Sequence, residues 1–398
     1  MRELRLSATS NSDFQACQRR YQLAYLFDLT QDRDKDSLRM GGNWHTCHEV
    51  LELQPGSKCP ECLRHEELRP GCYICQGAGY VPADTIDCVT RYLDHAYAVV
   101  PDNKTADEWE LERTILLYSL SGWRWKYAED ERRWEVIGSE IKFELPVYSP
   151  ASGRRIPKVL FVGKIDRLVR DRNTGLVYVW ERKTTSKSLG DAGYWQGLTQ
   201  GDQVSGYVYA VRALQHMGEL KRYGITPDSA PVNGAFCDVW HKPDISPKRV
   251  SKSDLKTLAE TGTYCGTELK DFPPFFTETK STPSGVELTN CDVVVETPEM
   301  FGARLLQDIG ERPDHYFAQR EVSRTDQELE QFQVRLWRIA KQIRTVEKGD
   351  LWLKNLASCQ ASYKCEFCEL CRSGIEVGPD DTPQGYVKRH APQEVSLG

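Results

Sequence analysis

Long hydrophobic runs are absent from this sequence. None of its apolar stretches approaches the roughly 20 residues that a transmembrane helix requires. The N-terminal residues, MRELRLSATSNSDF, lack the apolar core of a signal peptide. An excess of positive charge is also missing, because the net charge is -6, which argues against an overall cationic coat. We therefore expect a cytoplasmic protein without a membrane partner, on which any basic groove is local.

Tryptophan and cysteine, by contrast, are abundant. Ten tryptophans and a hydrophobic fraction of 39% suffice for a substantial core, and 398 residues allow one large domain or two ordinary ones. Charged residues make up 28% and are well mixed, so the composition is not that of a disordered chain. Disulfides are rare in a reducing compartment, where clustered cysteines usually hold metal. The fourteen cysteines therefore indicate metal sites.

The first cysteine cluster, CPECLRHEELRPGCYIC, contains two CxxC pairs. Each two-residue spacer lets the backbone turn so that both sulfurs of a pair face one ion. Four thiolates are the ligands of a closed tetrahedral zinc site. We expect an inserted zinc module over residues 57–80, whose ligands are Cys59, Cys62, Cys72 and Cys75.

The second cluster, SCQASYKCEFCELCRSG, lies near the C-terminus and contains Cys359, Cys365, Cys368 and Cys371. It predicts either a second zinc site made by all four cysteines or a site made by three of them with the distant Cys17. Four thiolates suit both zinc and an iron–sulfur cluster. Spacing alone therefore leaves the metal open.

The hydrophobic periodicity predicts an α/β fold with a mixed sheet. Helical patterns run from about Gly42 to Leu53, from Thr85 to about Tyr127, over Gly201–Met217 and over Gln327–Val346. Alternating patterns predict strands around Ile141–Val147 and over Lys158–Val169, Leu176–Thr184 and Asn233–His241.

The hairpin GKIDRLVRDRNTGLVYVWERKTTS carries charges where apolar residues are expected. Side chains alternate along a strand, so Glu181 and Lys183 share a face with Val179, which makes this face the buried one. Asp166, across the turn, can reach the same place. Two carboxylates bind a hard divalent cation such as Mg²⁺ or Mn²⁺, and a lysine beside them can orient an attacking water. The set suits phosphodiester hydrolysis, and an ordinary surface ion pair is the alternative.

The hairpin resembles motifs II and III of the PD-(D/E)XK nuclease superfamily, in its RecB-like branch. Other stretches match that branch in the same order along the chain. GGNWHTCHEVLE resembles its first motif, in which a helical histidine binds metal, and this points to His45. GDQVSGYVYA resembles its Q-x-x-x-Y motif, which gives Gln203 and Tyr207. The resemblance implies a restriction-endonuclease-like core with a mixed central sheet flanked by helices.

The cysteines at the two ends of the chain extend this resemblance. They are similar to those of iron–sulfur members, including the AddB nuclease domain, CRISPR-associated iron–sulfur exonucleases and phage relatives. In those proteins one N-terminal and three C-terminal cysteines hold a 4Fe-4S cluster. The resemblance implies that Cys17, Cys359, Cys365 and Cys371 hold such a cluster here, with Cys368 as a substitute ligand.

The resemblance implies a DNA exonuclease that acts in phage or prokaryotic recombination, repair or DNA processing. Its Mg²⁺ or Mn²⁺ ligands would be His45, Asp166, Glu181 and the backbone carbonyl of Arg182, while Lys183 positions the water. Gln203 and Tyr207 would orient the lysine or touch the DNA, and Glu140 could assist. The alternatives are an endonuclease, a CRISPR spacer-processing nuclease, and a non-catalytic DNA- or partner-binding protein on the same fold.

The expected partners are DNA ends, single-stranded or duplex, and a helicase, recombinase or other DNA-processing protein. The zinc module could bind duplex DNA, act as a wedge at strand separation, dock a partner or serve only as structure. The predicted organisation is N-terminal helices of the nuclease domain over residues 1–56, the zinc module over 57–80, the nuclease core over 81–350, the iron–sulfur segment over 351–372 and a flexible tail over 373–398.

Overall fold

The fold is given by a computed structural model of the chain. It describes residues 2–32, 36–130, 133–269, 276–282, 285–291, 294–360 and 365–389. Among these residues, no helix combines the length and the apolar character that crossing a membrane requires.

The chain alternates between helical and extended segments. The helices are α1 (Ala8–Ala16), α2 (Gln18–Tyr21), α3 (Asp36–Leu51), α4 (Pro60–Arg64), α5 (Thr85–Ala96), α6 (Ala106–Lys126), α7 (Ala192–Gln200), α8 (Asp202–His216), α9 (Lys252–Thr261), α10 (Pro298–Glu311), α11 (Pro313–Tyr316), α12 (Asp326–Gly349) and α13 (Cys368–Ser373). The strands are β1 (Leu4–Leu6), β2 (Leu29–Gln31), β3 (Trp134–Tyr148), β4 (Arg155–Asp171), β5 (Val177–Thr185), β6 (Gly234–His241), β7 (Thr263–Tyr264), β8 (Thr267–Glu268), β9 (Phe276–Thr282), β10 (Gly285–Cys291), β11 (Phe317–Ser323) and β12 (Tyr386–Lys388).

These elements agree with the predicted ones in kind and order, and they differ in some of their ends. Strand β3 begins at Trp134, before the predicted Ile141. The histidine-bearing helix α3 begins at Asp36, before the predicted Gly42. The helical stretch predicted from Thr85 to Tyr127 is two helices, α5 and α6, with Pro101 between them. Thr105 starts the second helix with a capping box, because its side chain and that of Glu108 satisfy each other's backbone N–H groups.

A central sheet in the order β1-β4-β5-β6-β11, with β3 on β4, confirms the predicted mixed α/β class. Strand β5 runs parallel to β6 and antiparallel to β4, and β1 runs parallel to β4. The smaller sheets among the described residues are the hairpins β7–β8 and β9–β10 and the pair β2–β12.

Strand β4 has a split along one of its edges. One edge of β4 pairs with β3 from Arg155 to Asp171. The opposite edge, which contains the split, is shared by β1 and β5. Strand β5 pairs with residues 167–170, and β1 pairs with residues 159–161. Residues 162–166 therefore lie between the two partners, and Asp166 is the last of them.

Helices cover both faces of the sheet, so β5 is buried on both sides. Val179 packs on the side of α8 and α12, in a core that also contains Val208 and Phe332. On the opposite side a second core joins α3, α5, α6 and α10 to residues of the predicted zinc module, such as Ile74. The expectation that the face of Glu181 is the buried one is thus incomplete, because Arg182, which points the other way, is only 3% exposed.

The described part of the tail predicted over residues 373–398 includes a strand. Strand β12 pairs antiparallel with β2, and Tyr386 stacks on Phe367 with ring centroids 5.7 Å apart. Arg389 donates to the carbonyl of Leu29 at 3.0 Å. Backbone pairing and aromatic packing thus hold residues 386–389 against the N-terminal segment, and residues 390–398 lie outside the described part of the chain.

Candidate active site

The hairpin carboxylates lie next to each other where the pairing of β4 with β5 ends. Backbone pairing ends at Arg167 and Trp180, so Asp166 and Glu181 are the next residues on the two strands. The backbone N–H of Arg182 donates to Asp166 Oδ2 at 3.4 Å. This bond fixes the Asp166 carboxylate against β5, just beyond the last strand pair.

Glu181 is 2% exposed, and its two carboxylate oxygens differ. Oε1 contacts the ammonium group of Lys183. Oε2 is buried and has no hydrogen-bond partner among the described residues. A buried carboxylate oxygen is costly without a partner, which makes this atom a candidate ligand for a cation.

Helix α3 supplies a histidine from the other side of the split. His45 Nδ1 lies 3.6 Å from Asp166 Oδ2, and the His45 side chain is 31% exposed. Burial lowers the pKa of His45, against the opposing effect of the Asp166 charge. The imidazole is therefore held neutral, the form that binds a metal.

The donor set of this cluster fits a hard divalent cation. One imidazole and two carboxylates come from α3, β4 and β5. His45 Nδ1 and Asp166 Oδ2 are 3.6 Å apart, but among the described residues the donor atoms of His45, Asp166 and Glu181 do not all lie within 4.8 Å of one another, as those of the first cysteine cluster do. The orphaned Glu181 Oε2 is the atom that such an ion would satisfy. Oxygen-rich sites with a single imidazole suit Mg²⁺ or Mn²⁺.

Two further carboxylates border this cluster. Burial, followed by the charge of Glu140, raises the pKa of Glu49 to about 7. Glu140 contacts the ammonium group of Lys164. Burial also raises the pKa of Glu181 to about 7, with Lys183 opposing and Asp166 reinforcing the shift. Glu49 is a neighbour that motif matching did not select, although it lies one helical turn after His45.

Helix α8 places the other two candidate residues near the carboxylates. Gln203 Nε2 donates to the Tyr207 hydroxyl at 3.1 Å. Burial raises the pKa of Tyr207, and the charges of Glu181 and Asp166 add to the shift. Tyr207 is thus a protonated hydroxyl close to the acidic cluster, and Gln203 orients it.

A family model of the PD-(D/E)XK nuclease superfamily matches residues 5–372. The chain belongs to this superfamily. A search of curated proteins found no match. The predicted resemblance is therefore confirmed at the level of the superfamily, whose members are metal-dependent nucleases that act on DNA. The hairpin, the α3 histidine and both cysteine clusters lie inside the matched region.

In this PD-(D/E)XK chain the first cysteine cluster is compact. The four sulfurs lie within 4.8 Å of one another, and all four residues are buried. Cys59 Sγ is 3.6 Å from Cys72 Sγ, and Cys62 Sγ is 3.4 Å from Cys75 Sγ. Zn–S bonds of about 2.3 Å in a tetrahedron place sulfurs about 3.8 Å apart. The cluster fits a single thiolate-bound metal ion.

Backbone amides around this cluster favour a thiolate. Burial opposes ionisation of Cys75, but hydrogen bonds from the backbone of Gly79 and Gly77 help to lower its pKa to about 7. Both glycines have positive φ, 80° and 90°, which L-residues with a Cβ rarely adopt. The turn that aims these amides at the sulfur therefore depends on glycine.

The second cysteine cluster joins the two ends of the PD-(D/E)XK region. Asn355 donates its backbone N–H to Cys17 Sγ at 3.4 Å and its amide to the Ala16 carbonyl at 2.8 Å. Burial and then the neighbouring Cys368 and Cys17 raise the pKa of Cys359. Among the described residues these sulfurs do not form a group as tight as the first one.

Proposed function

We propose that this protein is a metal-dependent deoxyribonuclease that degrades DNA from an end. The observation that carries the proposal is the environment of Glu181. One of its oxygens contacts Lys183, and the other is buried without a partner among the described residues, next to Asp166. A structural Glu–Lys pair has no need of an unsatisfied oxygen beside a second carboxylate, whereas a cation site does.

In this proposal His45, Asp166, Glu181 and the backbone carbonyl of Arg182 hold Mg²⁺ or Mn²⁺. When bound, the ion lowers the pKa of the attacking water and stabilises the charge that develops on the phosphate. Lys183 uses its ammonium group to position that water, and its contact with Glu181 keeps the group in place. The Arg182 N–H holds Asp166 at 3.4 Å, so the carboxylate is oriented before DNA binds.

Gln203 and Tyr207 act at the rim of the site in this proposal. The Gln203 amide fixes the direction of the Tyr207 hydroxyl, which is kept protonated by burial near the carboxylates. A protonated hydroxyl is a donor that a phosphate oxygen of DNA accepts. Their contribution is therefore to orient Lys183 or the DNA backbone.

We further propose a zinc ion on Cys59, Cys62, Cys72 and Cys75, and a 4Fe-4S cluster on Cys17, Cys359, Cys365 and Cys371. The short sulfur–sulfur distances support zinc at the first site. The contact between Cys17 and the C-terminal segment supports the cluster at the second. Cys368, 3% exposed, remains the substitute ligand. The biological setting that we propose, phage or prokaryotic recombination, repair or DNA processing with a helicase or recombinase, rests on the sequence resemblance.

The shape of the DNA tests the proposal. With Mn²⁺, the purified protein should progressively shorten end-labelled linear DNA and leave circular single-stranded DNA intact. Asp166→Ala should abolish shortening, because the site loses a carboxylate. Asp326→Ala is the matched control, since this carboxylate is exposed and pairs only with Arg212 among the described contacts.

The outcomes separate the candidate functions. Cutting of circular DNA would favour the endonuclease or spacer-processing alternative, because an exonuclease cannot start without an end. Binding of DNA without cleavage under all metal conditions would favour a non-catalytic protein. Full activity in Asp166→Ala would exclude this cluster as the active site.

A further inference from the structure

A partly buried carboxylate at the end of α3 contacts both strands of the site. Glu52 follows the last residue of α3, and its backbone N–H still donates to the His48 carbonyl at 3.1 Å. Its Oε1 lies 2.5 Å from Arg167 Nη1 and also contacts the Arg182 guanidinium. One oxygen atom therefore joins α3, β4 and β5.

Each of these contacts falls next to a residue of the candidate metal site. Arg167 directly follows Asp166, and Arg182 directly follows Glu181. Glu52 lies seven residues after His45, which is two helical turns and hence nearly the same side of the helix. The three elements that carry the candidate ligands thus meet at one carboxylate.

The Glu52 contact lies where backbone pairing no longer holds the strands. The β4–β5 ladder ends at the pair Arg167–Trp180, and Arg182 lies two residues beyond that end. Beyond it, the described contacts that link the strands are the Arg182 N–H bond to Asp166 and the bridge through Glu52. Glu52 consequently sets how far the two strands separate behind the carboxylates.

The network around Glu52 is rigid and charge-balanced. Arg167 is 6% and Arg182 3% exposed, and Asp238 on β6 provides the second negative charge, 3.7 Å from Arg182 Nε. The indole N–H groups of Trp123 and Trp180 donate to Asp238 at 3.2 and 3.4 Å. Buried charges are costly and contribute little net stability, so the expected effect of this network is on local geometry.

We propose that Glu52 is a positioning residue that holds α3, β4 and β5 in the arrangement from which His45, Asp166 and Glu181 bind one divalent cation. The inference rests on the proposed function for the identity of the site. Glu52 itself faces away from that site, since it bonds to the side chain of Arg182, and Arg182 and Glu181 point to opposite faces of β5. Its effect on the reaction passes through the two arginines and the ends of three elements.

The test measures Mn²⁺ binding to the full-length protein without DNA, by isothermal titration calorimetry. Glu52→Gln should raise the Kd for Mn²⁺ by about 10- to 100-fold, the usual effect of losing a group that orients metal ligands. Glu112→Gln is the matched control. Glu112 is a buried carboxylate that also holds α3, through Arg39 at 2.6 Å, but it contacts neither β4 nor β5 in the described contacts. The Kd of Glu112→Gln for Mn²⁺ should change less than about twofold, which is the usual size of an effect from a distant site.

A second variant covers the case in which Glu52→Gln does not fold. Glu52→Asp keeps the charge balance of the network, so it should lose less stability than Glu52→Gln. Its carboxylate is one methylene shorter and cannot span both arginines, so Mn²⁺ binding should still weaken. Excess Mn²⁺ should restore the DNA cleavage of either folded variant, which a loss of general stability would not allow.

The result separates this inference from the proposed function. A folded Glu52→Asp or Glu52→Gln protein that binds Mn²⁺ like the wild type overturns the role of Glu52, even if the wild type cleaves DNA. A wild type that binds Mn²⁺ in a Glu52-dependent way but never cleaves DNA overturns the proposed function and leaves the role of Glu52 standing. A Glu112→Gln variant that weakens Mn²⁺ binding as much as Glu52→Gln also overturns it.

Discussion

At the level of single residues, two histidines of one helix have opposite environments. His45 lies 3.6 Å from Asp166 at the split in the sheet. His48, three residues later, is fully buried between Trp44 and Trp123, with ring centroids 4.7 and 4.4 Å away. Burial and the charge of Arg182 hold its pKa well below the usual range. His48 is therefore a neutral core residue, 4.0 Å from Glu52 Oε1, whereas His45 lies beside Asp166 of the candidate site.

Substitution of Lys183 and substitution of Asp166 should have different effects on DNA cleavage and Mn²⁺ binding. Lys183→Ala removes the group that we expect to position the water, so cleavage should fall by about 10²- to 10⁴-fold. Its Mn²⁺ affinity should persist, because the lysine is not a ligand. Asp166→Ala should lose both cleavage and Mn²⁺ binding. Single-turnover cleavage of end-labelled DNA and calorimetric titration measure the two properties.

An exposed lysine provides the control for this prediction. Lys256 pairs with Glu260 on the surface of α9, at 3.8 Å, outside the described site. Lys256→Ala should cleave and bind Mn²⁺ like the wild type. Normal cleavage by Lys183→Ala would show that another group positions the water.

At the level of elements, the compact cysteine cluster supports the helix that carries His45. Residues of its loop, including Ile74, belong to the same core as Trp44 of α3 and Val89 of α5. The proposed metal ion would add a cross-link between the two ends of this loop. The module therefore supports the α3 side of the active site, whatever else it binds.

Loss of the proposed zinc ion should destabilise the protein. Cys72→Ser should lower the zinc content by one ion per chain and lower the melting temperature, because the loop under α3 loses its closure. Cys88→Ser is the control: Cys88 is fully buried nearby but lies outside the four-sulfur group. Elemental analysis and thermal unfolding measure both effects. Equal zinc content in the two variants would contradict the assignment.

An ion pair between Glu296 and Arg304 of α10 predicts that the stability of the protein depends on pH. Glu296 accepts hydrogen bonds from Arg304 at 2.5 and 2.7 Å and from the Tyr264 hydroxyl at 2.7 Å. Burial opposes ionisation, but these bonds win and lower the pKa of Glu296. The carboxylate therefore adds stability above its unfolded pKa of about 4.3, and this stability is lost as the pH falls through the lower folded pKa.

Glu296→Gln should remove that contribution. The substitution leaves Arg304 without its buried partner and should cost about 3 kcal/mol at neutral pH. The difference in the free energy of unfolding from the wild type should shrink as the pH drops through the folded pKa. Urea unfolding at a series of acidic pH values measures it. A difference that does not change with pH would contradict the role of the carboxylate charge.

At the level of the whole molecule, the two ends of the chain are joined at the second cysteine cluster. The Arg19 N–H donates to the Leu353 carbonyl at 3.1 Å, and the Ser358 hydroxyl donates to the Ala16 carbonyl at 2.8 Å. Strand β12 then pairs with β2 on the N-terminal segment. A cluster at this junction would close a loop of more than 300 residues, which constrains the unfolded chain strongly.

The junction gives a prediction for Cys17. Cys17→Ser should abolish the visible absorption of an iron–sulfur cluster, lower the iron and sulfide content and lower the melting temperature. Cys265→Ser is the control, because Cys265 is partly buried and lies outside both clusters. A colourless wild type, purified without oxygen and containing two zinc ions per chain, would replace the iron–sulfur proposal with a second zinc site.

Much of the fold and the local part of the site follow from short-range patterns. Alternation along β5 places Glu181 and Lys183 on one face, and the helical period places α8 and α12. Cysteine spacing within about 17 residues predicts the compact cluster, whose sulfurs converge as expected. Such patterns are readable because each depends on the period of a single strand, helix or loop.

Other features depend on where distant segments meet. Glu52 is separated from Arg167 and Arg182 by more than a hundred residues, and no local period relates the three positions. The burial of both faces of β5 and the pairing of β12 with β2 likewise arise from packing between segments far apart in the chain. The amino-acid sequence thus specifies which groups can do chemistry, since residue type and spacing suffice for that. Tertiary packing specifies which of two histidines lies beside Asp166 and which carboxylate links β4 to β5, since these depend on long-range contacts.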